Sequence, residues 1–238
     1  MNLSLRTLSI SAIFAIFSAV GISQAPASAT PVSPVNLLVN GSFDDTILAP
    51  NTWATYSQIN GWSATPNGKI EVQSGVAGTP YDGSNLVELD SDNYNPSNFS
   101  ATNPLGLYQD VATVVGQAYT LSFAYSARPG TAANENVFSA LVGDSANTGN
   151  ILNQVISDGA GGANTAWSIF TTTFTANSAL SRIQFNYDGP LDTFGAYIDD
   201  VKLVKDVPEP DAIVGIALVG LGLVTLKKRN TFKKDIQC

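Results

Sequence analysis

The residues best placed to do chemistry are carboxylates near the end of an outer domain. In Tyr197-Ile198-Asp199-Asp200-Val201-Lys202-Leu203, strand alternation puts Tyr197, Asp199, Val201 and Leu203 on one face. Val201 and Leu203 belong in a core, so Asp199 is expected to point inward with them. A buried carboxylate is costly unless it is paired, hydrogen-bonded or metal-bound. Basic partners are scarce: residues 30–206 hold five basic and sixteen acidic side chains, a net charge of −11. Two accounts of Asp199 stay open, a divalent cation or a cap on backbone amides. The 238-residue chain has no histidine, and its single cysteine is the last residue, Cys238. That excludes Ser-His-Asp triads, His-ligated zinc, Cys-ligated clusters and internal disulfides. A bound metal would have to be an oxygen-seeking ion such as calcium.

A second candidate site lies in the loop-rich segment 74–104. It sets Tyr81, Tyr94 and Phe99 among Asp82, Asn85, Asp92, Asn93 and Asn95. Aromatic faces beside amides and carboxylates suit the C–H faces and hydroxyls of a sugar. Arg128 is a further ligand candidate, with an ion pair at a strand end as the alternative. Of the three tryptophans, Trp62 after Gly61 reads as core and Trp167 is ambiguous. The domain's negative charge repels phosphate backbones, which disfavours nucleic-acid binding. Sixteen acids could supply a glycosidase pair, but no spacing selects one. No phosphate loop or nucleophile elbow is present. A non-enzymatic protein is expected.

These side chains need a scaffold, and the local patterns are those of strands. Tyr119, Leu121, Phe123 and Tyr125 alternate with polar or small residues, as do Ile183, Phe185 and Tyr187. Period two marks a strand with one buried face. Further strands are expected at 36–43, 70–73, 85–90, 105–112, 136–143, 150–157, 167–175 and 195–205. Pro66-Asn67-Gly68, Pro129-Gly130, 158–162 and Asp188-Gly189-Pro190 separate them as turns. The expected fold is all-β, an antiparallel jelly-roll β-sandwich over 30–206.

Both ends of the chain read as addresses. Residues 1–29 have the form of a signal peptide: Arg6, an apolar stretch from Leu8 to Ile22, then Ala27-Ser28-Ala29. At the other end Val207-Pro208-Glu209-Pro210 precedes an uncharged apolar segment, 212–226. Lys227-Lys228-Arg229 and a basic tail over 230–238 follow. Such a segment spans roughly 22 Å as a helix, short of a hydrocarbon core of about 30 Å. Snorkelling lysines and local thinning could close the gap. The basic cluster would stay cytoplasmic and leave the domain outside.

The order of Pro-Glu-Pro, short apolar segment and basic cluster over 207–229 resembles the PEP-CTERM sorting signal of Gram-negative bacteria. The resemblance implies that Pro208, Glu209 and Pro210 are a recognition motif for the membrane enzyme exosortase, after signal peptidase has removed the leader. Asp211 departs from the small or hydroxyl residue usual after the motif. Within the domain, Asn36-Leu37-Leu38-Val39-Asn40-Gly41-Ser42-Phe43-Asp44, Gly61-Trp62, Leu107-Tyr108-Gln109-Asp110-Val111, Tyr119–Phe123 and Tyr197–Leu203 follow one another. That order resembles the galactose-binding-like jelly rolls, including DUF642-type domains and family 4/9/22-type carbohydrate-binding modules. The resemblance implies a two-sheet sandwich with its first and last strands adjacent. It also implies a structural calcium held by Asp44 and Asp199, with Asp200 as alternate. The function expected is an exported, inner-membrane-anchored and then surface or matrix protein, associating with exopolysaccharide or biofilm through glycan contacts. A purely structural adhesive protein and an extracellular polysaccharide hydrolase are the rivals.

Overall fold

The structure is a computed structural model that describes residues 35–92 and 104–207. Its elements are β1 (Thr52–Tyr56), β2 (Gln58–Ile59), β3 (Trp62–Ala64), β4 (Ile70–Ser74), β5 (Leu86–Glu88), β6 (Gly106–Ala112), β7 (Ala118–Ser126), β8 (Val137–Asp144), β9 (Asn147–Ser157), β10 (Ser168–Thr175), β11 (Leu180–Tyr187) and β12 (Tyr197–Lys205). They form two six-stranded sheets, β1-β4-β5-β12-β7-β10 in front and β2-β3-β6-β11-β8-β9 behind. Every recorded pairing is antiparallel. From β5 to β8 and again from β9 to β12 the chain crosses between the sheets at each connection, the jelly-roll pattern. The all-β sandwich expected from the alternation is the fold observed. The only helical turn among the described residues is the 3-10 turn Ala133–Glu135.

The core is aromatic. Phe123 on β7 stacks on Phe170 of β10 at 5.0 Å and meets Phe185 of β11 edge-on at 4.9 Å. Trp62 is core, as expected, 1% exposed, with Phe43 at 5.6 Å and its indole N–H donated to the Asn40 carbonyl at 3.0 Å. Such offset and edge-on pairs add about 0.5–1.5 kcal/mol each beyond the area they bury.

Two expectations about the domain's ends are corrected. Segment 36–43 is not a strand. It makes one bridge, Asn36 with Val204, and then turns, with Asn40 and Phe43 at φ of 53° and 61°. It still joins the closing strand: Leu37 N–H donates to the Leu203 carbonyl at 2.8 Å, and Val201 N–H to that of Gly41 at 2.9 Å. A Cβ on Gly41 would lie 2.0 Å from the Val201 carbonyl oxygen, so only glycine allows that approach. The second correction concerns β12. A bulge between Asp199 and Lys202, with Asp200 at φ 49°, reverses the alternation. Ile198, Val201 and Leu203 face the core, whereas Tyr197 and Asp199 face the outside of the front sheet. Asp199 is buried on that outer face, under a loop.

Candidate functional site

The register of the front sheet lays two rows of side chains across its outer face. One runs Thr55, Glu71, Glu88, Tyr197, Ser126. The other includes Trp53, Gln73 and Leu86, then Asp199, Ala124 and Ile169. Period two would leave this face in water, yet Glu71, Gln73, Glu88, Tyr197, Ser126 and Asp199 are each no more than 3% exposed. Loops close over them.

The buried acids hold those loops. Gln73 Nε2 donates to Glu71 Oε1 at 2.9 Å and to Glu88 Oε2, and Tyr197 donates its hydroxyl to Gln73 Oε1 at 3.2 Å. Glu88 Oε1 lies 2.9 Å from Arg128 Nε and accepts the Gly195 N–H at 2.8 Å. Asp90 Oδ2 accepts the N–H groups of Asp192 and Thr193 at 2.9 and 2.7 Å. Asn136, fully buried, accepts the Arg128 N–H at 2.9 Å and donates to the Ala132 and Gly159 carbonyls. The walls formed by 128–135 and 192–195 are therefore fixed from beneath by Glu88, Asp90 and Asn136.

Between those walls lies a pocket of about 250 Å³, lined by Arg128, Gly130, Thr131, Ala132, Glu135, Asp192 and Phe194. Its volume is a little below the roughly 300–1,000 Å³ of drug-sized sites. The Phe194 ring is 43% exposed and has the Arg128 guanidinium 4.3 Å from its centroid. Asp192 Oδ1 accepts the Phe194 N–H at 3.2 Å, and Tyr187 donates its hydroxyl to the Phe194 carbonyl at 3.2 Å. Glu135 Oε2 is buried with no hydrogen-bond partner among the described residues. A half-exposed ring, a guanidinium, two carboxylates and a hydroxyl thus converge on one concavity. Among them they can stack on an apolar face and both donate and accept hydrogen bonds.

Burial raises the acids behind the pocket. Glu88 lies well above the ordinary carboxyl range, through burial and then the facing Glu71, against the pull of Arg128 and the Gly195 amide. Glu71 is raised chiefly by burial. Asp90 is raised by burial to about 6 despite its amide donors. Glu71 and Glu88 are cross-strand neighbours sharing one Gln73 donor, so the pair keeps a proton at a pH where exposed carboxyls have lost theirs.

The residues singled out in the sequence divide. Arg128 lines the pocket. Tyr81, 47% exposed, meets Trp167 edge-on at 6.0 Å but is not part of the pocket lining. Asp82 is exposed, and its N–H donates to Asp199. Asn85 is structural: 2% exposed, it donates to the Phe43 and Thr46 carbonyls at 3.0 and 2.7 Å. Tyr94, Phe99, Pro208, Glu209 and Pro210 lie outside the described residues, as do segments 1–29, 212–226 and 230–238. Thr131, Glu135, Asp192 and Phe194 were not anticipated. Their only sequence signals are the Pro129-Gly130 and Asp188-Gly189-Pro190 turns beside them.

The acids expected to hold calcium accept backbone N–H groups here. Asp199 Oδ2 accepts the N–H groups of Tyr81 and Asp82 at 2.8 and 3.0 Å, and its Oδ1 that of Asp200 at 2.6 Å. Asp44 Oδ1 accepts those of Ser84 and Asn85 at 2.8 and 3.1 Å, and its Oδ2 sits against Gly83. Asp200 pairs with Lys202 at 2.6 Å. No group of three or more metal-ligating acidic, histidine or cysteine side chains occurs among the described residues. Amide capping is the geometry present. Burial nevertheless raises Asp199 to about 7 against its three amide donors.

Fold and site together define an antiparallel β-sandwich with a small polar-aromatic pocket at one end of its front sheet. No family model matches the chain, nor does any curated protein. Among solved structures it is similar to a CBM4 structure, at 18% identity over 71% of this chain and 99% of that one, TM-score 0.43. It is also similar to TmCBM61 in complex with β-1,4-galactotriose, at 16% identity over 72% and 99%, TM-score 0.41. A third similar structure is the N-terminal cellulose-binding domain of Cellulomonas fimi β-1,4-glucanase C, at 21% identity over 74% and 100%, TM-score 0.40.

Proposed function

We propose that this chain is an exported surface or matrix protein whose β-sandwich binds carbohydrate without cleaving it. The observation that carries this reading is the pocket in which the half-exposed Phe194 ring adjoins Arg128, Thr131, Glu135 and Asp192. A sugar ring offers an apolar C–H face and a rim of hydroxyls, and this set supplies a partner for each. Delivery rests on the sequence of the two ends. A leader cut by signal peptidase exports the domain, segment 212–226 holds it in the inner membrane, and exosortase acts at Pro208-Glu209-Pro210. The product then associates with exopolysaccharide or biofilm matrix, with Tyr81 and Asp82 as further glycan contacts. The net charge of −11 over 30–206 favours neutral over acidic polysaccharides as ligands. A glycan array tests the binding: retention of a polysaccharide that is lost in Phe194→Ala supports it. Release of new reducing ends from that polysaccharide would instead make the protein a hydrolase.

A further inference from the structure

The two sides of the sandwich are built differently. On one side the sheets end in β1 and β2, of five and two residues. On the other they end in β9 and β10, of eleven and eight residues. A sheet edge presents unpaired N–H and C=O groups, which proteins ordinarily protect by shortness, lysine, proline or an inward charge. The short edges have that protection in their length. The long ones do not: Asn147-Thr148-Gly149-Asn150-Ile151-Leu152-Asn153-Gln154-Val155-Ile156-Ser157 and Ser168-Ile169-Phe170-Thr171-Thr172-Thr173-Phe174-Thr175 contain no charged residue and no proline. Their inner neighbours β7 and β8 carry only Asp144, at the last position of β8. The charges of the described strands gather elsewhere: Glu71 and Glu88 on β4 and β5, Asp110 and Arg182 on β6 and β11, and Asp199, Asp200, Lys202 and Lys205 on β12.

We propose that β10 is a self-association edge, along which a second copy of this chain adds its own β10 antiparallel and continues the front sheet. Charge selects the place, because two domains of net −11 repel wherever acidic faces meet and can approach across this uncharged quarter. Symmetry selects the partner, because a strand laid antiparallel on its own copy obeys a two-fold axis and needs no second surface. The strand itself is suited to it. β10 pairs with β7 without a register break over Ser168–Thr175. On its outer face Ile169, Thr171, Thr173 and Thr175 are exposed, and a two-fold pairing places these β-branched residues against one another. β9 is less suited, since its pairing with β8 shifts register between Val142 and Asp144 and it carries Gly149 at φ +85°.

The test is sedimentation velocity of the full chain in mild detergent over a hundredfold concentration range. Thr171→Lys and Thr171→Glu each add a like charge to both sides of the two-fold pairing on an exposed position, so the fold should be kept, which circular dichroism checks. The expected result is a dimer for the unaltered chain, with its dissociation constant raised at least tenfold in either variant. An equimolar mixture of the two variants should restore the dimer, because opposite charges then face each other. A monomer at every concentration overturns the proposal, whether another part of the same chain or only water lies along β10. A dimer insensitive to both variants, or a mixture that does not recover, overturns it equally.

Discussion

Glu88 and Arg128 connect the floor of the pocket to its wall. The carboxylate lies 1% exposed on the outer face of the front sheet, and Arg128 Nε stands 2.9 Å from its Oε1 while the guanidinium covers Phe194. Glu88→Ala removes the acceptor of the Gly195 N–H and the counter-charge of Arg128, and leaves a partly buried cation. It should cost about 3–5 kcal/mol, the usual penalty for breaking a buried pair from one side. Glu88→Gln keeps the shape and ends the repulsion with Glu71, so it should cost less than about 1.5 kcal/mol. Urea denaturation of the two variants checks the contrast.

Stability should fall as pH rises from mildly acid to mildly alkaline. Asp199, raised to about 7, and Asp90, raised to about 6, hold protons in the folded chain that they lose near pH 4 when unfolded. Between those values the folded state binds more protons than the unfolded state, so each unit of rising pH disfavours folding. The contribution is present in full below about pH 4 and gone above about pH 7, and the raised Glu71 and Glu88 act in the same direction. Tm measured from pH 5 to pH 8 should decline over that interval, and less steeply in Glu88→Gln. A Tm that rises with pH would contradict the assignment of these groups.

Asp44 and Asp199 grip one loop from two sides, Asp199 through the amides of Tyr81 and Asp82 and Asp44 through those of Ser84 and Asn85. Calorimetry with and without a chelator should give the same Tm, because those carboxylates are satisfied by N–H groups. Asp199→Ala leaves three N–H donors without their acceptor and should cost about 2–4 kcal/mol, given roughly 1–3 kcal/mol for each buried group left unpaired and partial repair by water. A large Tm drop on chelation would restore the metal reading.

The side-chain space of Gly41 is closed by the closing strand itself. Gly41→Ala would place a methyl 2.0 Å from the Val201 carbonyl oxygen and should push the Asn36–Phe43 segment off β12. Overpacking of this kind costs about 1–3 kcal/mol. Hydrogen exchange should then speed up at the Leu37, Val201 and Leu203 amides before it changes in β7 or β11.

How far the sequence carried depends on the range of the interaction that decided each feature. Tyr119–Tyr125 and Ile183–Tyr187 are strands because one face of each is core, and period two states that directly. Segment 36–43 is apolar enough to read as a strand, but it turns at Asn40 and Phe43 because Gly41 docks on Val201, a contact across the whole domain. Thr52–Tyr56 and Gln58–Ile59 contain no fully buried side chain, so no apolar alternation marks them. The pattern Ile70-Glu71-Val72-Gln73 predicts β4 but wrongly implies that Glu71 and Gln73 are wet, since Glu71 accepts the Asp92 N–H and Gln73 lies between Glu71, Glu88 and Tyr197. In β12 a single bulge at Asp200 exchanged the faces, which no alternation reveals. Arg128 was legible as a rare cation in an acidic domain. Its pocket was not, because Thr131, Glu135, Asp192 and Phe194 belong to loops brought together only by Glu88, Asp90 and Asn136.

The central claim is that the Phe194 pocket takes sugar. Isothermal titration of the unaltered protein, Phe194→Ala and Tyr81→Ala against a neutral polysaccharide retained on the array tests it most directly. Saturable binding that weakens at least tenfold in Phe194→Ala, with Tm unchanged, and by a smaller factor in Tyr81→Ala is the predicted result. Binding that survives Phe194→Ala undiminished would contradict it.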